Sequence, residues 1–214
     1  MRIAILAWGS LWWDPGVLQF NGVWHSDGPW LPLEFARQSS QGTSNERLTL
    51  VICPALHHRV QTLWTLSTHA DLQKARQNLQ KREKTPTIDS IHFVVTGTGK
   101  SNSQSKSIVE AITRWGQALP QDNRPDAIIW TGLGAKFGER PEGEAPTQEE
   151  AVAYLWSLTG TKLTLADEYV RKAPLQIRTP IRDAIEQEFG WHYVKELEQR
   201  RDIAKKVDDA FTGH

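Results

Sequence analysis

The chain has 214 residues, a length near the upper end for one compact domain and short for two. A chain of this size buries most of its apolar surface on folding, so it needs neither a disulfide nor a structural metal. It carries 25 basic and 25 acidic residues, so its overall charge gives no electrostatic reason to bind nucleic acid or a membrane surface, and we expect neither partner.

The cysteine content and the lengths of the apolar runs indicate the cellular compartment of the protein. Cys53, the single cysteine, lies in the apolar run of residues 48–53, which predicts a small core side chain. The opening apolar segment, residues 3–7, is too short for the core of a signal peptide, and no apolar run approaches the roughly 18 residues that span a bilayer. We therefore expect a cytoplasmic protein.

The first third of the sequence predicts strands. Four segments have the β-branched and apolar composition of strands: residues 3–8, 31–37, 47–53 and 60–66. The second and third of these are joined by a polar stretch and predict an antiparallel pair. Residues 12–32 are rich in Gly, Pro, Trp and Asp, which predicts a long structured loop of the kind that often carries function.

The hydrophobic period changes after residue 66. Thr68, followed three residues later by Asp71, predicts the start of a helix, and Pro86 predicts its end. A strand, a helix and another strand are then predicted at residues 88–95, 107–119 and 127–130.

Residues 147–214 are predicted to be helical. A capping box at Thr147 and Glu150 opens the first of these helices, and residues 193–211 predict a charged amphipathic final helix. Strands early and helices late are typical of the α+β class rather than of alternating βαβ units. We interpret residues 1–214 as a single α+β domain with a helical C-terminal extension packed on it.

Candidate chemistry is found at a turn and at a helix end. The turn Gly9, Ser10 and Leu11 follows the first strand, and backbone N–H groups at a strand terminus can hold a carboxylate or an oxyanion. Glu83 lies in the last turn of a predicted helix, where the macrodipole raises the pKa of a partly buried carboxylate and makes it a better proton acceptor. By periodicity alone Glu83 is more often a solvated charge, because three cations flank it in the segment 81–84.

Other polar residues give weaker signals. His57 and His58 are adjacent, so on a strand they point to opposite faces and cannot share one metal; no metal site is expected. Arg37 and Arg47 both fall in predicted strands. Such arginines more often form a salt bridge at the rim of a sheet, but one that faces inward can pair with a substrate carboxylate.

The segment Ile5–Pro15 resembles the opening of the γ-glutamylcyclotransferase-like superfamily, whose Tyr-Gly-Ser-Leu-x-Trp motif aligns with residues 8–13. The order of later elements is also similar: a strand that carries Arg37, a Leu-Trp-x-Leu strand at residues 63–66, and a helix that ends in Leu-x-x-Arg-Glu at Glu83. Tyr169 resembles a late tyrosine of that superfamily. The resemblance is strongest over the first 95 residues.

A bacterial branch of this superfamily is more similar still. It shares the Leu-Pro-x-Glu-Phe-x-Arg strand at residues 31–37, the Arg-Leu-Thr-Leu-Val strand at residues 47–51 and the Arg-Glu-x-Thr helix end at residues 82–85. The resemblance implies a small mixed β-barrel with flanking helices. It also implies a small-molecule substrate that bears a γ-glutamyl or similar group.

The activity that the resemblance implies is release of 5-oxoproline from a γ-glutamyl amine or peptide, with Glu83 as general acid/base and with no cofactor or metal. The substrate-binding residues that it implies are Trp8, Gly9, Ser10, Leu11, Trp12, Arg37 and Tyr169. The oligomeric state is not predicted.

Some features depart from the superfamily pattern. Trp8 stands where the motif has tyrosine, and the helical tail from residue 147 is larger than a minimal member needs. A non-catalytic small-molecule-binding or interaction domain on the same fold therefore stays open. The early tryptophans suggest a bulky or apolar amine on the leaving side of the substrate, a hypothesis based on Trp12, Trp13, Trp24 and Trp30.

Overall fold

The computed structural model describes residues 1–193, so the predicted final helix, residues 193–211, lies almost entirely outside the described part. The strands are β1 Ile3–Ala7, β2 Trp30–Leu31, β3 Leu33–Ser39, β4 Arg47–Ile52, β5 Val60–Gln61, β6 Leu63–Leu66, β7 Ile91–Val95 and β8 Ala127–Thr131. The helices are α1 Leu72–Glu83, α2 Lys106–Ala118, α3 Gln148–Ser157, α4 Gly160–Lys172 and α5 Pro180–Phe189. A 3₁₀ turn, Ile88–Ser90, precedes β7.

A mixed four-stranded sheet forms the centre, in the order β6-β1-β8-β7. Strand β1 runs antiparallel to β6 and parallel to β8. Its side chains are buried on both faces: Ala4 and Leu6 enter the larger core cluster, and Ile3 and Ile5 enter a second one beneath α1. This explains why β1 is a continuous apolar run rather than an alternating one.

The predicted antiparallel pair is confirmed as a ribbon of β3 and β4, which carries a β-bulge between Phe35 and Arg37. The single strand predicted over residues 60–66 is instead two strands, because β5 pairs with β2 and β6 pairs with β1. The chain changes partner at Thr62, whose N–H and hydroxyl both donate to the carbonyl of Pro29, at 3.1 and 2.9 Å.

Helix α1 begins later than predicted. Its N-cap is Asp71 rather than Thr68, because the Asp71 carboxylate accepts the Lys74 N–H at 2.8 Å. Glu83 is the last residue of the helix, which confirms its predicted position in the final turn. Lys84 then adopts a left-handed conformation with φ 54° and ends the helix two residues before Pro86.

The C-terminal helices pack on the strands. The predicted capping box is confirmed, with the Thr147 hydroxyl and the Glu150 carboxylate each accepting the other residue's backbone N–H. Helix α3 packs on α5, α4 packs on β4 and α5 packs on β3. Leu155 and Ile185 therefore belong to the same core cluster as the ribbon.

Glu34 on β3 joins the ribbon to α5. Its buried carboxylate accepts hydrogen bonds from the Thr179 hydroxyl, from the Ile181 N–H at 3.3 Å and from the Phe35 N–H at 2.8 Å. The Nε2 atom of His58 lies 3.6 Å away. Burial raises the pKa of Glu34, and the hydrogen bonds oppose that rise.

The fold is mixed α+β, as predicted. Among residues 1–193 the strands divide between one four-stranded and two two-stranded sheets, and these sheets do not close into a barrel. In the same residues no helix has both the length and the apolar character needed to cross a membrane.

Candidate active site

A cavity of about 1300 Å³ lies where the end of β1, the end of α1, the β3–β4 ribbon and α4 meet. Seven of the eight predicted site residues line it: Trp8, Gly9, Ser10, Leu11, Arg37, Glu83 and Tyr169. Trp12, the eighth, is half-buried and does not line it. The structure thus brings together a turn, a helix end and a late tyrosine that are far apart in sequence.

The turn after β1 offers hydrogen-bond donors to the cavity. It is held by the Trp12 N–H, which donates to Gly9 O at 3.0 Å, and by the Asp14 N–H, which donates to Ser10 O at 2.8 Å. Within the described part of the chain, the N–H groups of Gly9, Ser10 and Leu11 meet no protein acceptor. Consecutive free N–H groups of a turn can bind an anion when they converge on one point.

Tyr169 on α4 explains why residue 9 is glycine. A Cβ atom added at Gly9 would lie 2.2 Å from the Tyr169 hydroxyl, so a larger residue could not occupy this turn unless the tyrosine moved. The ring packs edge-on against Trp13, with centroids 5.2 Å apart. Burial raises the pKa of Tyr169 to about 12, and the nearby Glu83 adds to the rise, so the phenol is protonated at neutral pH.

The free edge of β4 is held by side chains of the site. The Leu50 N–H donates to the Tyr169 hydroxyl at 3.4 Å, and the Trp8 indole N–H donates to Leu50 O at 3.2 Å. Trp8 is buried, and its polar atom is used in this structural contact. Trp8 therefore fixes the ribbon against the turn.

Glu83 enters the cavity from the C-terminus of α1, and only 17% of its side chain is exposed. Its Oε1 atom lies 2.7 Å from Nη1 of Arg82. Burial raises the pKa of Glu83 above its ordinary value, and the Arg82 ion pair opposes this rise without cancelling it. The result is a carboxylate that accepts a proton more readily than an exposed glutamate.

Arg82 joins the helix end to the turn. Its Nη2 atom donates to the Ser10 hydroxyl at 3.2 Å and to Asp14 O at 2.5 Å, while Nη1 pairs with Glu83. Sequence reasoning missed this residue as part of the site, although it stands next to Glu83 in the motif. Its contacts cross 72 positions of the chain, which local patterns do not reveal.

The cavity is more cationic than the protein as a whole. Six basic residues line it: Arg37, Arg47, Lys81, Arg82, Lys84 and Lys136. Three acidic residues line it: Asp14, Glu83 and Glu168. An excess of basic side chains favours an anionic ligand.

The early tryptophans do not form an aromatic wall. Trp8 and Trp13 line the cavity, whereas Trp24 packs against Phe20 in the second core cluster and Trp30 is 57% exposed. The hypothesis of an apolar leaving group relied on four tryptophans. Since one of those four lines the cavity, the structure gives that hypothesis little support.

Cys53, a further candidate for chemistry, lies outside the site. Cys53 is buried in a small cluster with Val51 and Ala135, and burial raises its pKa to about 12, which confirms the prediction of a core side chain. Within residues 1–193, no group of three or more His, Cys, Asp or Glu side chains is placed to hold a metal ion.

Comparison of the chain with protein-family models, with curated proteins and with solved structures finds no match. The cavity itself combines free N–H groups at the Gly9 turn, a carboxylate of raised pKa at Glu83 and an excess of positive charge.

Proposed function

We propose that this chain is a γ-glutamylcyclotransferase-like enzyme, which releases 5-oxoproline from a γ-glutamyl amine or peptide. One observation carries the proposal: Glu83 lines the same cavity as the Gly9–Leu11 turn, whose N–H groups meet no acceptor among the described residues. The reaction needs a proton acceptor beside the substrate's amine and a binding site for the carboxylate next to it. These two groups supply both requirements.

Substrate binding is proposed to begin at the turn. The α-carboxylate of the γ-glutamyl group accepts hydrogen bonds from the N–H groups of Gly9, Ser10 and Leu11. The protonated Tyr169 hydroxyl, which lies against Gly9, is a further donor for an oxygen of the substrate. Fixing the carboxylate in this way orients the α-amine and the γ-carbonyl of one molecule for attack on each other.

Glu83 is proposed to move the proton. It accepts a proton from the α-amine, whose nitrogen then forms a bond to the γ-carbonyl carbon. As the tetrahedral intermediate collapses, the bond from that carbon to the leaving nitrogen breaks, and Glu83 returns the proton to the leaving amine. The products are 5-oxoproline and the free amine.

The proposal extends to the fold. We propose that the three sheets correspond to the small mixed β-barrel of the γ-glutamylcyclotransferase-like superfamily in an open form. In support, the central sheet mixes parallel and antiparallel strands, and a β-bridge between Arg37 and Lys136 links the ribbon to the chain after β8. An experimental structure in which the ribbon is separated from that chain would contradict this part.

A non-catalytic small-molecule-binding domain is the second candidate. The observation that favours it is the ion pair between Arg82 and Glu83, which engages the carboxylate and stabilises its charged form. In this alternative the cationic cavity binds an anion, and Glu83 holds Arg82 in place.

Release of 5-oxoproline from a panel of γ-glutamyl peptides and amines distinguishes the enzyme from the non-catalytic binding domain. We expect release by the wild type and a loss of about a hundredfold or more in Glu83→Gln. Glu110→Gln is the matched control, because Glu110 is an exposed residue of α2 outside the cavity. Absence of release from every compound by a folded protein would favour the binding domain.

A further inference from the structure

Arg47 occupies a distinctive place in the cavity. It begins β4, directly opposite Ser39 on β3, and Arg37 lies opposite Thr49 two positions further along. Directly opposed residues of an antiparallel pair project to the same side, so the ribbon carries both arginines on the side that lines the cavity. The guanidinium carbon of Arg47 is 5.9 Å from the centre of the Tyr169 ring.

Most of the hydrogen-bonding capacity of Arg47 is left unused by the described residues. Its Nε atom is buried without a hydrogen-bond partner, and Nη1 makes a long contact of 3.4 Å to Asn45 O. A buried N–H group that lacks an acceptor costs about 1–3 kcal/mol. Among the described residues, Nη2 of Arg47 meets no acceptor, so this end of the guanidinium can donate to a ligand in the cavity.

Nor does a carboxylate of the protein neutralise Arg47. Its sequence neighbour Glu46 pairs with Lys162 at 2.9 Å and accepts the Tyr154 hydroxyl at 3.1 Å. Among the described residues, no acidic oxygen lies within 4 Å of the guanidinium of Arg47, in contrast to Arg82 beside Glu83. A half-buried, unpaired guanidinium in a cavity is suited to a planar anion, which it can bind through two hydrogen bonds.

We propose that Arg47 determines specificity by binding a carboxylate on the leaving side of the substrate. The inference rests on the proposed function, in which the Gly9 turn holds the α-carboxylate. The Tyr169 ring lies between the two positions, since its hydroxyl meets Gly9 and its ring meets Arg47. A γ-glutamyl amino acid or peptide, with two carboxylates separated by roughly 7 Å or more of chain, can occupy both.

A pair of isosteric substrates tests this role. γ-Glutamylalanine carries a leaving-side carboxylate, and γ-glutamylalaninamide replaces it with a neutral amide of the same shape. We expect the wild type to favour the carboxylate by about tenfold or more in kcat/KM, the size of a hydrogen bond to a charged group. In Arg47→Met the preference should fall below about threefold, and Arg47→Lys should restore part of it.

The control is Arg59→Met, which removes an exposed arginine outside the cavity and should keep the wild-type preference. Because the ratio compares two substrates on one protein, loss of folded material does not change it. An equal preference in the wild type and in Arg47→Met would overturn the inference, as would the absence of a preference in the wild type.

Binding measurements distinguish failure of the proposed role of Arg47 from failure of the proposed function. Both compounds are titrated into Glu83→Gln, with and without Arg47→Met, and tryptophan fluorescence is recorded because Trp8 and Trp13 line the cavity. If the wild type releases no 5-oxoproline, tighter binding of the carboxylate that disappears with Arg47→Met would contradict the enzyme proposal alone. Equal binding of both compounds, or binding of neither, would contradict the role of Arg47.

Discussion

Two glutamates in this molecule, the buried Glu34 and the half-buried Glu83, have opposite surroundings. Glu34, at the junction of β3 and α5, is 2% exposed and accepts three hydrogen bonds, two of them from the N-terminal end of a helix. Glu83 stands at the C-terminal end of α1, has Arg82 as its hydrogen-bond partner and faces a cavity of about 1300 Å³. The helix dipole favours the charge at the first position and disfavours it at the second.

The comparison shows that a raised pKa does not by itself mark a reactive group. Burial raises the pKa of Glu34 and of Glu83 alike. The difference lies in what surrounds each carboxylate. Protein donors make hydrogen bonds to both oxygens of Glu34, whereas Glu83 has space beside it for a substrate. We therefore assign Glu34 to stability and propose Glu83 for catalysis.

The largest effect on stability is expected at Glu34. Glu34→Ala leaves the Thr179 hydroxyl and the N–H groups of Phe35 and Ile181 without their acceptor, and it should lower the free energy of unfolding by about 3 kcal/mol. Urea unfolding followed by tryptophan fluorescence measures this change. A loss below about 1 kcal/mol would show that the junction does not depend on Glu34.

A smaller loss, about 2 kcal/mol, is expected from Gly9→Ala, because the added Cβ overlaps the Tyr169 hydroxyl and the turn must shift. The same shift should lower 5-oxoproline release at least tenfold. Gly97→Ala is the matched control, since a Cβ there meets no atom within 4 Å. If both variants behaved alike, close packing of Tyr169 on the turn would not matter.

The smallest change, about 1 kcal/mol, is a gain in stability for Glu83→Gln at neutral pH, because the variant buries no charge. A raised pKa means that the protonated group contributes stability below its unfolded-state pKa, near 4.5, and that this contribution is lost as the pH rises through the folded-state pKa. The gain should therefore vanish in acid. Unfolding measured in urea between pH 4 and pH 8 tests the sign, and a variant less stable than the wild type at neutral pH would contradict it.

Local sequence patterns predicted much of the fold. Strand β1, the β3–β4 ribbon and the end of α1 follow from composition and period within a few neighbouring residues. The division at Thr62 was not predicted, because it depends on hydrogen bonds to Pro29 that an apolar run does not encode. The start of α1 was misplaced because Thr68 and Asp71 are both good N-cap residues, and it is the Asp71 carboxylate that accepts the Lys74 N–H.

Only part of the site could be predicted, because local patterns reveal some of its residues and not the contacts between distant ones. A small-residue turn and a glutamate at a helix end are readable from sequence, and the structure places both in one cavity. The roles of Arg82 and Arg47 depend on contacts with Ser10, Asp14 and Tyr169, which are distant in the chain. Trp12 belongs to the turn motif but does not line the cavity.

The most direct test is the pH dependence of kcat/KM for 5-oxoproline release by the wild type and by Glu83→Gln. A general base acts in its ionised form, so wild-type activity should fall on the acid side through a pKa above the ordinary glutamate value of 4.5. Glu83→Gln should be at least about a hundredfold less active and should lack this acid limb. Activity in the variant within about threefold of the wild type, with the same acid limb, would contradict the assignment of Glu83 as the general base.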